Sequence, residues 1–278
     1  MLHHSFHNHT ERCNHAVGTV ADYVDAARGA GLRSFGMSDH IPFPGDRWWP
    51  HVRMSYDQLD SYIAEVLRQR EESKDIEVFL GAECEWLPEF HDYYPYLLDE
   101  AGFHYLIGGP HWSPMDDGTW LGYTKLKRPR QLRRFARYVM DMIGSGMFTY
   151  IAHPDVCFAG YGKWDEDARA CSLDIIRCAV EHDMPLELNA NGMRKRDTGT
   201  IPGSYPFREF WELASREGVR ALIGSDAHTP SDIIDHCDEC AVWMEELQLH
   251  DVQHELYRVI RRRADLTPAV QFLHTESL

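Results

Sequence analysis

The chain has 278 residues, 44% of them hydrophobic, and a formal net charge of −16 at pH 7. That apolar content excludes a disordered chain, and the length suits one domain over residues 1–278 with a substantial core. The acidic balance argues against a surface that tracks a long nucleic-acid backbone, while leaving open a small phosphorylated ligand held through metal cations.

In chain order, a short strand leads into His7, and Thr19 with Asp22 can cap a helix that ends near Gly31. Ser34–Met37 reads as the next strand. A capping box, Ser55 to Gln58, precedes the helical stripe Leu59, Tyr62, Ile63, Val66 and Leu67. Strands follow at Val78–Gly81 and Tyr105–Gly108. Leu132, Phe135, Ala136, Val139, Met140 and Ile143 form a second helical stripe, and Thr149–Ala152 a further strand. Ile175, Ile176, Ala179 and Val180 suggest a helix ending before Pro185, ahead of a strand at Leu186–Asn189. Phe207, Phe210, Trp211, Leu213 and Ala214 suggest a helix closed by Gly218, ahead of a strand at Ala221–Gly224. Residues 264–278 read as a polar tail.

Strand–helix alternation implies an α/β fold with a mostly parallel sheet. Polar clusters follow nearly every strand, which favours a closed or nearly closed, TIM-like (β/α)7 barrel of seven strands with its site at the C-terminal strand ends. An open doubly wound sheet is the alternative, but it would gather its ligands at one switch point.

Those clusters are His7-Asn8-His9 with His15, Asp39-His40, Glu83, His111, His153-Pro154-Asp155 and Ser225-Asp226-Ala227-His228. Imidazole and carboxylate are ligands of zinc, manganese and iron. His7 and His9 share a face if the segment is extended, as do Asp226 and His228. The other ten of the 17 histidines, among them His4 and His104, are given structural or surface roles. A multinuclear site of this composition is typically hydrolytic, because it can generate hydroxide and grip a phosphoryl oxygen together. The seven cysteines are scattered and odd in number, which reads as reduced. Cys237-Asp-Glu-Cys240 lacks the second pair of a zinc ribbon and reads as two cysteines near a loop end. No apolar run approaches the ~20 residues of a membrane span. A motif starting at His7 leaves no room for a cleavable leader, so a cytoplasmic location is expected.

Taken together, His7-Asn-His9, His15, Ser38-Asp39-His40, Gly81-Ala-Glu83, Gly109-Pro-His111, His153-Pro-Asp155 and Ser225-Asp-Ala-His228 resemble the PHP domain, the polymerase and histidinol phosphatase superfamily, from about residue 3 to about 235. The resemblance implies a distorted seven-stranded barrel and three divalent ions (Zn, Mn or Fe). It implies His7, His9, Glu83 and Asp226 on one ion. Glu83 would bridge to a second, with His111 and His153, and His15, His40 and His228 would hold the third. Glu83, Asp226 and His228 are the residues expected to carry the chemistry. Asp39 and Asp155 adjoin ligands and could orient imidazoles.

The run Leu186-Glu-Leu-Asn-Ala-Asn-Gly-Met-Arg-Lys195 and Tyr205-Pro206 are similar to histidinol phosphatases. Where family members often carry an arginine soon after His-Pro-Asp, this chain has Val156-Cys-Phe-Ala-Gly160. The expected reaction is hydrolysis of a small phosphate monoester, with L-histidinol phosphate one candidate, by a metal-bridging hydroxide attacking phosphorus in line. Arg194 is the leading phosphate clamp, in a flexible loop after Gly192, with Lys195 assisting and Asn189 orienting loop or substrate. The expected partner is a small phosphorylated metabolite, with neither long nucleic acid nor membrane. A phosphodiesterase acting on a small nucleotide, a non-catalytic metal-binding domain and an amide hydrolase are the rival readings.

Overall fold

The protein was analysed as a computed structural model that describes residues 2–267. Eight strands form one curled, parallel sheet in the order β1 (His4–Ser5), β2 (Ser34–Met37), β3 (Glu77–Cys84), β4 (Tyr105–Gly108), β7 (Tyr150–Ile151), β8 (Leu186–Asn189), β9 (Arg220–Gly224) and β10 (His250–Asp251). Between β4 and β7 in sequence, β5 (Trp112–Pro114) and β6 (Trp120–Gly122) pair as an antiparallel hairpin. The seven strands read from the sequence all occur. β10 is an eighth, two exposed residues with no apolar run to announce it.

The sheet curls until its ends meet. Above β1 and β9, Asn8 and Ala227 form a parallel bridge, in which His9 N donates to Ala227 O at 2.9 Å and Ala227 N to His7 O at 3.3 Å. Lower down, β10 pairs with β9, and the Gln253 side chain fills the remaining gap. Its Nε2 donates to His4 O at 2.9 Å, and its Oε1 accepts from Ile223 N at 2.8 Å. The backbone groups at this join are therefore paired, as burial requires.

The helices are α1 (Val20–Gly29), α2 (Leu59–Glu72), α3 (Tyr93–Asp99), α4 (Pro129–Gly144), α5 (Phe158–Tyr161), α6 (Glu166–Glu181), α7 (Ala190–Thr198), α8 (Arg208–Glu217), α9 (Cys237–Glu246) and α10 (Gln253–Leu266). The Thr19–Asp22 capping box starts α1. The Ser55–Gln58 box opens a 3₁₀ turn ahead of α2. Gly218 closes α8 at φ 77°, a left-handed conformation that glycine adopts without steric cost. The stripe on α4 faces the core, except that Met142 is buried where Met140 is only partly so.

Three expectations need correction. The loop expected to carry Arg194 and Lys195 is helix α7, capped by Asn189, whose Oδ1 accepts from Gly192 N at 2.9 Å. Cys237 and Cys240 lie one turn apart at the start of α9, both buried, and all seven cysteines are free thiols. Of the polar tail read from residue 264, Ala264–Leu266 finish α10, while residues 268–278 lie outside the described residues. No described helix is long and apolar enough to cross a membrane.

Side-chain alternation sorts the barrel interior into layers. Along β3, Phe79, Gly81 and Glu83 share the inward face. Phe79 joins Phe6, Tyr105, Tyr150 and Leu222 in an apolar layer that Leu256, Ile260 and Ala264 of α10 close from below. Above it the residue types change abruptly to Glu187, Glu83 and the histidines. Two glycines make room for this polar layer. A Cβ at Gly224 would overlap the Glu187 carboxylate, and one at Gly109 the Glu83 carboxylate.

Candidate metal centre

Nine side chains from six different strand ends converge at the barrel mouth. Glu83 sits at their middle. Its Oε2 lies 3.3 Å from His7 Nε2, 3.5 Å from His9 Nε2 and 3.2 Å from His40 Nδ1. Its Oε1 lies 3.1 Å from His153 Nε2 and 3.3 Å from His111 Nε2. Asp226 Oδ1 is 3.2 Å from His9 Nε2 and 3.6 Å from His7 Nε2. His15, His40 and His228 form a separate triplet whose ligand atoms lie within 4.8 Å of one another, as do those of His7, His9 and Asp226 and of His7, Glu83 and His153.

The donor atoms fit cations better than one another. His7 Nε2, His9 Nε2 and Glu83 Oε2 are buried without a hydrogen-bond partner among the described residues. Unpaired buried polar atoms are costly and rare, and three aimed at one point describe a coordination shell. Electrostatics agree. Burial by itself would raise the Glu83 carboxyl, but His111, His7 and His40 override it and hold it well below the usual carboxylate range. Asp226 is likewise raised by burial and then held low by His7 and His9. Burial, followed by the neighbouring His9, pushes His40 and His228 well below the ordinary imidazole value, leaving them neutral as a metal ligand must be. Burial also lowers His9, yet the facing carboxylates of Asp226, Asp39 and Glu83 outweigh it and raise it to about 9. The centre thus draws positive charge inward, as protons or as metal ions.

Most of the imidazoles are aimed by a partner on their other nitrogen. His7 Nδ1 meets Glu187 Oε1 at 2.7 Å, and His111 Nδ1 meets Glu85 Oε1 at 3.1 Å. Backbone carbonyls do the same for His15 (Cys13 O, 2.7 Å) and His228 (Asp226 O, 3.0 Å). Such partners fix the tautomer and turn the free nitrogen toward an ion. Asp226 is oriented too, because its Oδ2 accepts from Asn189 Nδ2 at 3.2 Å and Asn191 Nδ2 at 3.0 Å, which leaves Oδ1 for the centre. His153 and Asp226 take left-handed backbone angles, φ 30° and 48°. Strain of this kind, on the order of 1–3 kcal/mol per residue, persists only where the surroundings enforce it.

Sequence reasoning missed Glu187 and Glu85. The signal was available, since Glu187 is two residues before Asn189 and Glu85 two after Glu83, on the same inward face. Glu85 also pairs with Arg53 at 2.8 Å, and both are buried. Arg53 lies over the rings of Phe43 and Trp49, at 5.3 and 5.5 Å. Trp49 in turn stacks on Trp112, ring centroids 5.0 Å apart. Trp48 and Trp120 complete a four-indole cluster beside the mouth. Asp39 stands 3.6 Å from His9 Nδ1 and accepts from Thr10 N at 3.1 Å. Asp155 faces away from the imidazoles. Its Oδ2 accepts from Phe207 N at 2.6 Å and Trp211 Nε1 at 3.1 Å, so it ties down the start of α8.

The substrate-facing expectations divide. Arg194 does not line the mouth. Its guanidinium donates to the carbonyls of Asp235 (2.8 Å), Ser225 (2.7 Å) and Asp226 (3.1 Å). Asn189 is engaged with Gly192, Glu187 and Asp226. Lys195, by contrast, lines a cavity of about 290 Å³ over the centre, with its Nζ 3.3 Å from the Tyr205 hydroxyl.

The PHP domain model matches residues 5–191. The chain is 30% identical over 237 residues to a protein of Deinococcus radiodurans named "Probable histidinol-phosphatase", covering 82% of this chain and 86% of that one. It is 24% identical to the "Probable phosphatase YcdX" of Escherichia coli, covering 80% of this chain and 77% of the other. Its fold is similar to the crystal structure of histidinol phosphate phosphatase from Lactococcus lactis, complexed with zinc, L-histidinol and phosphate. The TM-score is 0.67 at 18% identity, covering 89% of this chain and 94% of that one. The family model, the identity to the Deinococcus protein and the barrel with its histidine-lined mouth agree: this chain belongs to the PHP domain family.

Proposed function

We propose that the protein is a metal-dependent phosphatase that hydrolyses a small phosphate monoester. The observation that carries this is the shared Glu83, whose two oxygens face different imidazoles beneath a cavity lined by His40, His111 and His153. A carboxylate so placed suits two ions a few ångströms apart. His7, His9, Glu83 and Asp226 would hold one ion, Glu83, His111 and His153 a second, and His15, His40 and His228 a third. When bound, the ions supply hydroxide at neutral pH and neutralise phosphoryl oxygens. Zinc, L-histidinol and phosphate in the Lactococcus enzyme support this chemistry, and the names of the Deinococcus and Escherichia relatives point the same way.

The chain's own residues do the rest. Glu187, Glu85, Asn189 and Asn191 hold ligands in one orientation, so little reorganisation is needed as charge develops. Lys195 is the cation beside the cavity best placed for a phosphoryl oxygen, in the role first expected of Arg194. In the net reaction water adds to phosphorus, the bond to the ester oxygen breaks, and the water proton ends on the departing alcohol.

Protein reconstituted with zinc or manganese, assayed on a panel of phosphate monoesters beside bis-p-nitrophenyl phosphate, tests this. Monoester turnover that follows metal content is expected. Turnover confined to the diester would replace the reading with a phosphodiesterase, and a fully metallated protein inert on every ester would end it.

A further inference from the structure

Resting on the phosphatase reading, the remaining walls of the cavity carry information about the leaving group. Once a phosphoryl group occupies the centre, the rest of the ester must extend past Val52, Trp112 and the segment Gly122–Lys125, which line the same cavity. Trp112 is locked there. One face stacks on Trp49 at 8° between planes, and the ring also lies against Gly122, where a Cβ would come within 3.2 Å of the indole. It therefore presents a fixed apolar surface to whatever enters the cavity.

The charges left unpaired on these walls are of one sign. Lys125 lines the cavity from its exposed side, and Lys195 stands beside Tyr205. Two carboxylates reach the cavity, Glu85 and Asp226. Glu85 is held by Arg53 at 2.8 Å and by His111 at 3.1 Å. Asp226 accepts from two asparagine amides and faces His7 and His9. On the adjoining hairpin, Asp116 is paired with Arg130 and Arg134. No carboxylate lining the cavity is left to receive an ammonium or imidazolium, whereas Lys125 has no ion-pair partner among the described residues. A cation moved into such a space loses hydration without gaining a counter-charge, and an anion gains one.

We infer that the leaving-group side of this site selects an ester whose alcohol carries its own negative charge, a carboxylate or a second phosphate, over a cationic amino alcohol such as histidinol. Lys125 is the specificity-determining residue.

The test compares kcat/KM of the metal-loaded full chain on four esters that differ in the charge of the alcohol. They are phosphoglycolate (carboxylate), fructose 1,6-bisphosphate (second phosphate), glycerol 3-phosphate (uncharged) and histidinol phosphate (cationic), with p-nitrophenyl phosphate as the reference ester. One of the anionic pair should exceed histidinol phosphate by about tenfold or more, and which one identifies the anion. Lys125→Glu should reverse that order, moving the anionic-to-cationic ratio by more than about tenfold, while the exposed position keeps the fold intact. Histidinol phosphate preferred by the native chain, or a ratio that Lys125→Glu leaves in place, overturns the inference and leaves the phosphatase reading standing. Failure to hydrolyse any of the five overturns the phosphatase reading itself.

Discussion

Arg194 and Lys195 are consecutive on α7, and a helix sends consecutive side chains about 100° apart. The guanidinium of Arg194 reaches under the turn after β9 and holds the carbonyls of Ser225 and Asp226, while Lys195 reaches the cavity. From the sequence, either could face the mouth, because the segment was read as a loop and a loop has no fixed phase. The two variants should therefore fail differently. Lys195→Ala is expected to lose on the order of 2–4 kcal/mol of transition-state stabilisation, roughly 30- to 1000-fold in kcat/KM, with metal content unchanged. Arg194→Ala should instead lower stability by about 1.5–3 kcal/mol, the scale of hydrogen bonds to a charged group, and loosen metal held by Asp226. Chemical denaturation and metal analysis of both proteins check this, and a kinetic defect in Arg194→Ala at full metal content would restore the first assignment. Glu83→Ala should lose nearly all activity and at least two metal positions, whereas Cys84→Ser, next in the chain, should keep its metals. The candidate ligands were legible because their clusters follow apolar runs, with His15 added by the resemblance. Glu85 and Glu187 were passed over although their spacing puts them on the ligand face, because a carboxylate there looks no different in sequence from a solvated one until the barrel closes around it.

Among the elements, helices α1, α2, α4, α6 and α8 were readable from caps and spacing, since apolar stripes and capping boxes are local signals, whereas α9 and α10 went unread. The hairpin β5–β6, helix α3 and strand β10 were not, because their shapes depend on what they pack against. The hairpin shows this best. Trp112 follows His111 directly, and the indole cluster presses Trp49 onto Arg53, which holds Glu85, which holds His111. One candidate ligand is thus supported from its backbone neighbour and from its ring at once. Glu85→Ala leaves the buried Arg53 guanidinium unpaired, a change expected to cost about 3–5 kcal/mol. The ion at His111 should be held about 10- to 100-fold more weakly. Glu85→Gln, which keeps an acceptor, should recover part of the metal affinity and less of the stability. Metal titration beside urea denaturation separates the two effects, and equal metal affinity in all three proteins would show that Glu85 only packs.

For the whole molecule, a parallel strand–helix sheet with polar clusters at its strand ends was legible from the alternation, but the join between its margins was not, since it depends on two hydrogen bonds and one glutamine side chain. Below the metal layer, His104 reports on the integrity of the barrel wall. Burial, then the charges of Arg70 and Arg263, lowers it from 6.5 to about 3, and its Nδ1 accepts from Leu80 N at 3.0 Å. The folded state keeps this ring neutral while the unfolded chain protonates it below pH 6.5. Its contribution to stability is therefore complete above the unfolded value and is lost as the pH falls toward about 3. The slope is up to about 1.4 kcal/mol per pH unit. His104→Leu should flatten that slope between pH 6.5 and 4. The same change should lower stability at pH 7 by about 1–3 kcal/mol, because the Leu80 N–H loses its acceptor. Thermal denaturation across this range, native against variant, measures both.

The bridge between Asn8 and Ala227 has a mechanical consequence. Its flanking residues are His7 and His9 on one side and Asp226 and His228 on the other, so a cation gripping these groups would also rivet the two margins of the barrel together. The join is otherwise narrow, with β10 contributing only a two-residue strand beside β9. Pulled apart from positions 8 and 227, the metal-loaded protein should resist at a distinctly higher force than the chelated one. The chelated barrel should part along this line first. Amide exchange at His9 and Ala227 should quicken on chelation more than exchange at β3 or β8, which lie within the wall. A catalytic ion that doubles as a fastener would make loss of metal a loss of shape as well as of chemistry.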